Sequence, residues 1–360
     1  MQAVSFKIAE QLDRHFNLHD IGPITPRVNK IDALWSKLHR RIFHVRGNFH
    51  QFSVKTLEAT ANQLEGLVDC HTDAIFFRSV TRWIMCRPAV PYFVHTDVAF
   101  HTFFHNTFAP SEFRASDLER IWDEERRFLE GASAVFFESD WGLQKARSAY
   151  QLTGDHYIAL KNGGGIDPPA QDIWDGTSLR LISIAKHFKQ KGGDITLEAF
   201  KILKPQYPQL QWHIIGGPPE GDGDTIDGLH YEGFLHTDIP AELVRFRNLL
   251  AGAFLLVHPT REDTNPLVLV EAAYFGCPSI SVNDFAIPEL VSNTETGILL
   301  ERPVTAAAIA NAIEALIVDR DRYAKMRQKA RQRAVQQFQW NAIGDEMATS
   351  IDLALTQETS

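Results

Sequence analysis

Two acidic residues, Asp263 and Glu271, stand eight positions apart in a segment that also carries helix-start signals. The apolar run at 253–258 predicts a buried parallel strand before them. Asn265 is a good N-cap and Pro266 a good first helical residue. A strand, a polar loop and a helix start therefore follow one another. The amides of the first helical turn predict an anion site.

Glu271 falls inside an otherwise apolar helix, which Gly276 and Pro278 are expected to end. A carboxylate in such surroundings is costly unless a polar group engages it, and ligand hydroxyls would meet that need. A purely structural role, in which Asp263 and Glu271 bond to neighbouring amides, is the alternative.

Two lysines follow the strand predicted at 179–184. Lys186 lies at the strand end and Lys191 in the next loop, so both could neutralise one diphosphate. A solvated lysine-rich loop is the alternative interpretation. Other strand ends carry candidates for contact with a nucleotide: Gly216, Phe234 and Leu235.

Strands and helices alternate through most of the chain, which predicts parallel sheets covered by helices on both faces. The predicted strands are 73–78, 91–95, 133–138, 156–160, 179–184, 211–215, 229–232, 253–258 and 279–282. The predicted helices are 52–67, 115–130, 140–151, 191–203, 239–250 and 266–275, with a helical tail from 305 onward. The glycines and prolines of 161–170 predict a hinge between two domains.

The N-terminal segment predicts an amphipathic helix, because Val4, Ile8, Leu12 and Phe16 recur every four residues. A doubly wound domain normally opens on a central strand and a glycine-rich turn instead. The first domain is therefore expected to lack its first strand and loop. We favour a start assigned too late over a genuine loss.

The composition is that of a globular protein, with 360 residues, 22% of them charged and 44% hydrophobic. A formal net charge of −9 argues against bulk nucleic-acid binding. Three cysteines without metal-binding spacing fit a reducing compartment. Since neither a membrane-spanning run nor a secretory leader is evident, a cytoplasmic location is expected.

The C-terminal half resembles the family-4 retaining glycosyltransferases. Asp263 and Glu271 match that family's E-x7-E signature, with the first Glu changed to Asp, and Glu262 is an alternative ligand for the donor sugar. Lys186 and Lys191 match its basic pair, usually an Arg and then a Lys. The charge is kept, but the bidentate fork of the arginine is lost.

The resemblance covers about 175–340 and implies a GT-B fold, with two Rossmann-like doubly wound domains facing across a cleft. It also implies roles for the matched residues. Glu271 should bond to the ribose hydroxyls of a nucleotide, Asp263 to hydroxyls of the donor sugar, and the lysine pair to the diphosphate. The backbone amides of Leu267 and Val268 should contact the distal phosphate.

In the first domain, His95 and Asp97 lie at the end of the strand predicted at 91–95, where a parallel sheet places its ligands. In the resembled family a histidine here contacts the donor sugar or the acceptor, so His95 is a candidate catalytic residue and Asp97 a further candidate. A histidine satisfied within the core or at the surface is the alternative. Ser139 is expected to cap the helix predicted at 140–151.

The segment 27–46 predicts a basic amphipathic helix, with Trp35, Leu38, Ile42 and Val45 at helical spacing. We favour a solvated helix that packs on its own domain. A peripheral membrane contact on the acceptor side is the alternative, and the protein would then be membrane-associated.

The resemblance thus implies a retaining, metal-independent glycosyltransferase without a cofactor. A nucleotide-diphosphate sugar would be the donor and a glycan, lipid or small molecule the acceptor. A non-catalytic nucleotide-sugar binding protein and a sugar-nucleotide epimerase of the same architecture are the alternatives. We expect an acceptor-side domain at 1–165, a donor domain at 166–340, and a C-terminal helix at 341–360 that could pack back on the first domain.

Overall fold

The protein forms two compact units, one from the residues before Asn162 and after Gln339, the other from Asn162–Gln339. The structure is a computed structural model. It describes residues 2–22, 24, 30–43, 48–219 and 226–358. The division falls at the start of the glycine-rich run 161–170, and the last helix belongs to the first unit.

The described residues contain ten strands and thirteen α-helices. The strands are β1 (Ile75–Arg78), β2 (Tyr92–Thr96), β3 (Ala134–Phe137), β4 (Tyr157–Ala159), β5 (Arg180–Ala185), β6 (Gln211–Gly216), β7 (Leu229–Gly233), β8 (Leu255–His258), β9 (Ser279–Val282) and β10 (Gly297–Leu300). The helices are α1 (Gln2–Leu12), α2 (Lys30–Phe43), α3 (Val54–Glu65), α4 (Phe100–Thr107), α5 (Ala115–Glu130), α6 (Asp140–Tyr150), α7 (Gly193–Leu203), α8 (Pro240–Ala251), α9 (Val268–Tyr274), α10 (Ile287–Leu290), α11 (Ala306–Val318), α12 (Arg320–Gln337) and α13 (Trp340–Glu358).

The sheet of the first unit has four parallel strands in the sequential order β1-β2-β3-β4. All four residues of β3 are buried, as expected for a strand covered on both faces. Helix α1 buries the predicted positions Val4, Ile8 and Leu12. It packs against α13, where Gly344 allows close approach because a Cβ there would meet the side chain of Gln11.

The sheet of the second unit has six parallel strands in the order β10-β9-β8-β5-β6-β7. This is the doubly wound order, in which the chain returns to the middle of the sheet and continues on the other side. The order reverses between β5 and β8. Open α/β sheets bind ligands at the carboxyl ends of the strands at such a point.

All nine predicted strands are confirmed, with ends that differ by a few residues. The cap of α6 is also confirmed, since the Gly142 amide donates to Ser139 Oγ at 3.0 Å. Three short elements were not predicted from the sequence: the strand β10 and the helices α4 and α10.

Candidate functional site

Two loops leave the sheet of the second unit at the switch point. The first runs from Lys186 to Gly192 between β5 and α7, and the second from Pro259 to Leu267 between β8 and α9. These loops hold Lys186, Lys191 and Asp263, which the sequence predicted as site residues.

Glycines let these strand ends approach one another closely. Gly192 has a φ of +77°, and a Cβ there would clash with the carbonyl oxygen of Pro259. Gly216, at the end of β6, has a φ of +114°, and a Cβ there would clash with the carbonyl oxygen of Ala185. Only glycine combines this backbone conformation with so little space. The predicted candidate Gly216 therefore supports the end of β5, immediately before Lys186.

Arg261 fastens the second loop to the first. Its guanidinium makes two bonds to the Asp194 carboxylate, at 2.7 and 3.1 Å, and also donates to the carbonyl oxygen of Lys189. Its backbone amide donates to the carbonyl oxygen of Gln190 at 2.9 Å. Bidentate arginine–carboxylate pairs fix geometry as well as charge. Arg261 thus fixes the positions of the two loops relative to each other.

Asp263 lies within this arrangement. Its Oδ2 is 2.6 Å from Lys191 Nζ and 3.3 Å from His258 Nε2, and its amide donates to Thr260 Oγ1 at 3.2 Å. Burial alone would raise the pKa of the Asp263 carboxyl, but the hydrogen bond with His258 and the charge of Lys191 hold it below its ordinary value. Asp263 is therefore an ionised carboxylate beside a cation.

Glu271 lies in α9, the helix that directly follows the loop carrying Asp263. The Gly165 amide donates to its Oε1 at 2.8 Å, and Oε2 makes no hydrogen bond among the residues that the structure describes. Burial raises the pKa of this carboxyl to about 7, although the Gly165 amide acts in the opposite direction. A carboxylate with one unengaged oxygen in such a place can accept bonds from ligand hydroxyls.

The glycine run at the start of the second unit lies against Glu271 and Tyr274. The Gly164 amide donates to Tyr274 Oη at 3.0 Å, and a Cβ on Gly164 would lie 2.8 Å from Glu271 Cγ. These glycines were interpreted only as hinge residues. They also position Glu271, through an amide 106 positions away in the sequence.

The predicted start of the helix that carries Glu271 is wrong. Helix α9 begins at Val268 with Leu267 in the N-cap position and no side-chain cap, so neither Asn265 as N-cap nor Pro266 as first helical residue holds. The Leu269 amide donates to the carbonyl oxygen of Pro266 at 3.0 Å, so a tight turn occupies the predicted first positions. As in any helix, the amides of the first turn lack partners within the helix itself.

The other predicted residues of this unit follow the carboxyl ends of its strands. Lys186 is exposed and forms no ion pair among the described residues, and Glu262 is also exposed. Leu235 is half-buried and Phe234 exposed, just after β7. Tyr231 Oη donates to the carbonyl oxygen of Gly216 at 2.8 Å, which links the end of β6 to the middle of β7.

In the first unit, His95 lies fully buried within β2. Its Nδ1 contacts the guanidinium of Arg78, the last residue of β1, and lies 3.6 Å from Glu138 Oε1, just after β3. Burial lowers the pKa of Arg78, while Glu138 and Asp97 act to raise it. Asp97 is exposed and accepts a bond from the Val98 amide at 2.8 Å. Three neighbouring strands thus supply one polar cluster, to which Arg78 and Glu138 were not assigned from the sequence.

Within the described part of the chain, the structure has no group of three His, Cys, Asp or Glu side chains arranged to hold a metal ion. A search of the same residues for a helix both long enough and apolar enough to cross a membrane finds none.

Residues 169–333, nearly all of the second unit, match the family model described as glycosyl transferases group 1. The chain is 30% identical over 186 residues to the putative colanic acid biosynthesis glycosyltransferase WcaL of Salmonella typhimurium. That match covers 48% of this chain and 45% of WcaL, so the chain spans less than half the length of this relative.

Solved structures extend the likeness to both units. The sucrose-phosphate synthase of Thermosynechococcus elongatus matches 85% of this chain and 79% of its own, with a TM-score of 0.65 and 18% identity. Anabaena HepE in complex with UDP-glucose matches 73% of this chain and 72% of its own, with a TM-score of 0.53 and 22% identity. The predicted class, two parallel-sheet α/β units of the GT-B type, is confirmed. The family match supports the resemblance to group 1 glycosyltransferases.

Sequence reasoning missed three residues that hold the site together: His258, Arg261 and Gly165. His258 is the last residue of β8, a strand-end position like those from which the lysines were predicted. Arg261 and Gly165 act through partners distant in sequence, and spacing alone gave no signal for either.

Proposed function

We propose that the protein is a retaining glycosyltransferase that moves a sugar from a nucleoside-diphosphate donor to an acceptor without a divalent metal. One observation carries the proposal. At the switch point of a doubly wound unit, Lys191 is paired with Asp263 while Glu271 keeps one oxygen unengaged, inside the region that matches the glycosyltransferase family model.

In this proposal Glu271 holds the ribose. Its Oε1 is fixed by the Gly165 amide, so Oε2 can accept from one hydroxyl and Oε1 from a second. Hydrogen bonds to an ionised carboxylate favour its charged form. The pKa of about 7 in the free protein should therefore fall when a nucleotide binds. UDP-glucose bound to Anabaena HepE, a structural neighbour, is a donor of the proposed chemical type.

The diphosphate is proposed to contact Lys186, Lys191 and the amides of Leu267 and Val268. Lys191 already holds the Asp263 carboxylate at 2.6 Å, so it can bridge that carboxylate and a phosphate oxygen. Lys186 is exposed at the end of β5 and can turn towards the same group. The two ammonium groups would supply the positive charge for which other transferases use a divalent ion.

Asp263 is proposed to bond to hydroxyls of the donor sugar, with exposed Glu262 beside it. During glycosyl transfer the sugar becomes oxocarbenium-like, and negative charge builds on the departing diphosphate. Cations and amides that are already in place stabilise that charge in the transition state, so most of the rate enhancement comes from them. The departing phosphate then takes the proton of the acceptor hydroxyl on the same face, which retains the configuration.

His95 is proposed to contact the donor sugar or the acceptor, which would be a glycan, a lipid or a small molecule. Its ring is held in place by Arg78 and Glu138 at the carboxyl ends of neighbouring strands. Such support favours a fixed orientation, which a positioned catalytic histidine needs.

The test is a transfer and donor-hydrolysis assay with a panel of UDP-, GDP- and ADP-sugars, run with and without EDTA. Proton NMR of the product then reports its anomeric configuration. We expect turnover with one donor, unchanged by EDTA, with retention. Inverted product would contradict the proposed stereochemistry. Saturable binding of a nucleotide sugar without turnover would favour the binding-protein alternative.

Matched variants test the site assignment. Glu271→Ala and Lys191→Ala should abolish turnover while unfolding remains cooperative. Glu198→Ala and Lys201→Ala remove the two ends of an exposed ion pair on α7, 2.8 Å long, and should retain turnover because such pairs contribute little. Near-normal transfer by the first two variants would refute the assignment.

A further inference from the structure

Helix α2 presents its apolar side chains to solvent. The exposed fractions are 67% for Leu34, 64% for Trp35, 45% for Leu38 and 57% for Ile42. At about 3.6 residues per turn these four positions fall on one side of the helix, the apolar face.

The opposite side of α2 is turned towards the protein. Ala33, Ser36 and His39 follow one another at intervals of three, and all three are half-buried. An amphipathic helix that packs on its own domain buries its apolar side and exposes its polar side. Helix α2 does the reverse. The helix is thus solvated, as favoured from the sequence, and it packs on its own unit through its small and polar side instead of its apolar side.

A row of cations borders the apolar face. Lys30, Lys37 and Arg41 are exposed, and their spacing places them along one edge of it. The sequence of α2 contains Arg40 as a further cation and Asp32 as its one acidic residue. This concentration of positive charge is local, because the whole chain has a net charge of −9.

We propose that α2 docks parallel to the surface of a membrane that contains anionic lipids. Leu34, Trp35, Leu38 and Ile42 would enter the boundary between headgroups and acyl chains, and the cationic row would contact lipid phosphates. With 14 residues the helix is about 21 Å long, too short to span a bilayer but suited to lie in its interface.

Charge favours a lipid surface over a second copy of the chain. Two copies that paired symmetrically through the apolar face would place both cationic rows at the rim of one interface, with no row of acidic residues on α2 to face either of them. Anionic headgroups instead complement both parts of the surface. The proposal is independent of the donor site, because α2 belongs to the other unit.

The test is flotation of the full chain with vesicles of phosphatidylcholine, with or without phosphatidylglycerol. We expect binding only when phosphatidylglycerol is present, and weaker binding as salt is added. Lys37→Glu/Arg41→Glu and Leu34→Gln/Leu38→Gln should each lower vesicle affinity at least about tenfold. Donor binding should stay unchanged in both variants.

Two control variants make the same kinds of substitution at exposed positions outside α2. Lys201→Glu/Lys325→Glu reverses two exposed lysines elsewhere, and Val244→Gln/Leu353→Gln changes two exposed apolar residues. Both should bind vesicles like the wild type. The proposal is overturned if the wild type does not bind, or if these controls lose as much affinity as the α2 variants. Concentration-dependent dimers abolished by Leu34→Gln/Leu38→Gln would also overturn it, in favour of a second copy.

Discussion

Replacing Glu271 by Gln should stabilise the free protein at alkaline pH. Burial raises the pKa of the Glu271 carboxyl from 4.5 to about 7. At about 1.4 kcal/mol per pKa unit, that rise corresponds to about 3 kcal/mol of stability. The side chain of Gln cannot ionise, and its Oε1 can still accept the bond from the Gly165 amide. The substitution therefore removes the cost of a buried charge without removing the bond.

The pH window follows from the direction of the shift. Because the folded pKa lies above the unfolded one, the contribution of Glu271 to stability is fully present below 4.5 and is lost as pH rises through about 7. Wild type and Glu271→Gln should be similar in stability near the acid end of this window. Above it, the variant should be more stable by about 3 kcal/mol.

The assay is urea unfolding of both proteins across this pH range, followed by tryptophan fluorescence. Glu198→Gln, a change of an exposed glutamate on α7, should differ from the wild type by the same small amount at every pH. A difference between wild type and Glu271→Gln that does not change with pH would refute the argument that burial raises this pKa.

Three further predictions concern the framework around the site. Gly192→Ala should lower the free energy of unfolding, measured by thermal and urea unfolding, by about 2 kcal/mol or more because a Cβ there clashes with Pro259. Gly176 has a similar φ but open space around it, so Gly176→Ala should lower the free energy of unfolding by only about 1 kcal/mol. Arg261→Ala should weaken donor binding, measured by calorimetry, about tenfold because the ion pair with Asp194 is lost. Arg261→Lys should not restore the affinity of the wild type. Unchanged affinity in Arg261→Ala would contradict the claim that Arg261 fixes the two loops. Glu125→Ala should destabilise the first unit by about 3 kcal/mol in urea unfolding at acid pH. Glu125 accepts hydrogen bonds from Thr81 Oγ1, Tyr150 Oη and the first amide of α4, and all three would be lost. A loss of stability below about 0.5 kcal/mol would contradict the claim that these bonds stabilise the unit.

The strands of both units could be predicted from sequence because each is a short apolar run bounded by turn residues. The β3 strand, Ala134–Phe137, is typical. The missed strand β10 begins with Gly297 directly after a polar turn at 292–296 and has only three consecutive aliphatic side chains, so its pattern is weak. Helix α4 was missed because His, Phe and Thr are poor helix formers. Its first amide is bonded by Glu125, 25 positions away in the sequence, so tertiary contacts stabilise this helix.

The candidate site could be predicted where charged residues follow the ends of predicted strands. Asp263, Lys186 and Lys191 could be selected because the carboxyl ends of parallel strands meet at one edge of a sheet. The hydrogen-bond and ion-pair partners of these residues could not be predicted. Nothing in the spacing indicates that Lys191 pairs with Asp263, or that a hinge glycine bonds to Glu271. The start of α9 was misjudged because a tight turn at Pro266 satisfies the same sequence signals as a helix start.

Helix α2 also shows that a periodic apolar pattern predicts a helix but not the burial of its apolar face. The spacing of Trp35, Leu38 and Ile42 predicts a helix with an apolar face, and the helix is confirmed over Lys30–Phe43. Val45, the fourth position of that prediction, lies outside the described residues. The same spacing does not say whether that face meets the core or solvent. The structure shows that the small and polar side is the one turned inward.

The most direct test of the donor-site assignment is calorimetric titration of nucleoside diphosphates into the wild type, Lys191→Ala and Glu271→Ala, with EDTA present. The wild type should bind one nucleoside diphosphate with micromolar affinity. Both variants should lose at least about 3 kcal/mol of binding free energy, a factor of more than about a hundred. Lys201→Ala should bind like the wild type. Equal affinity in all four proteins would contradict the claim that Lys191 and Glu271 hold the donor.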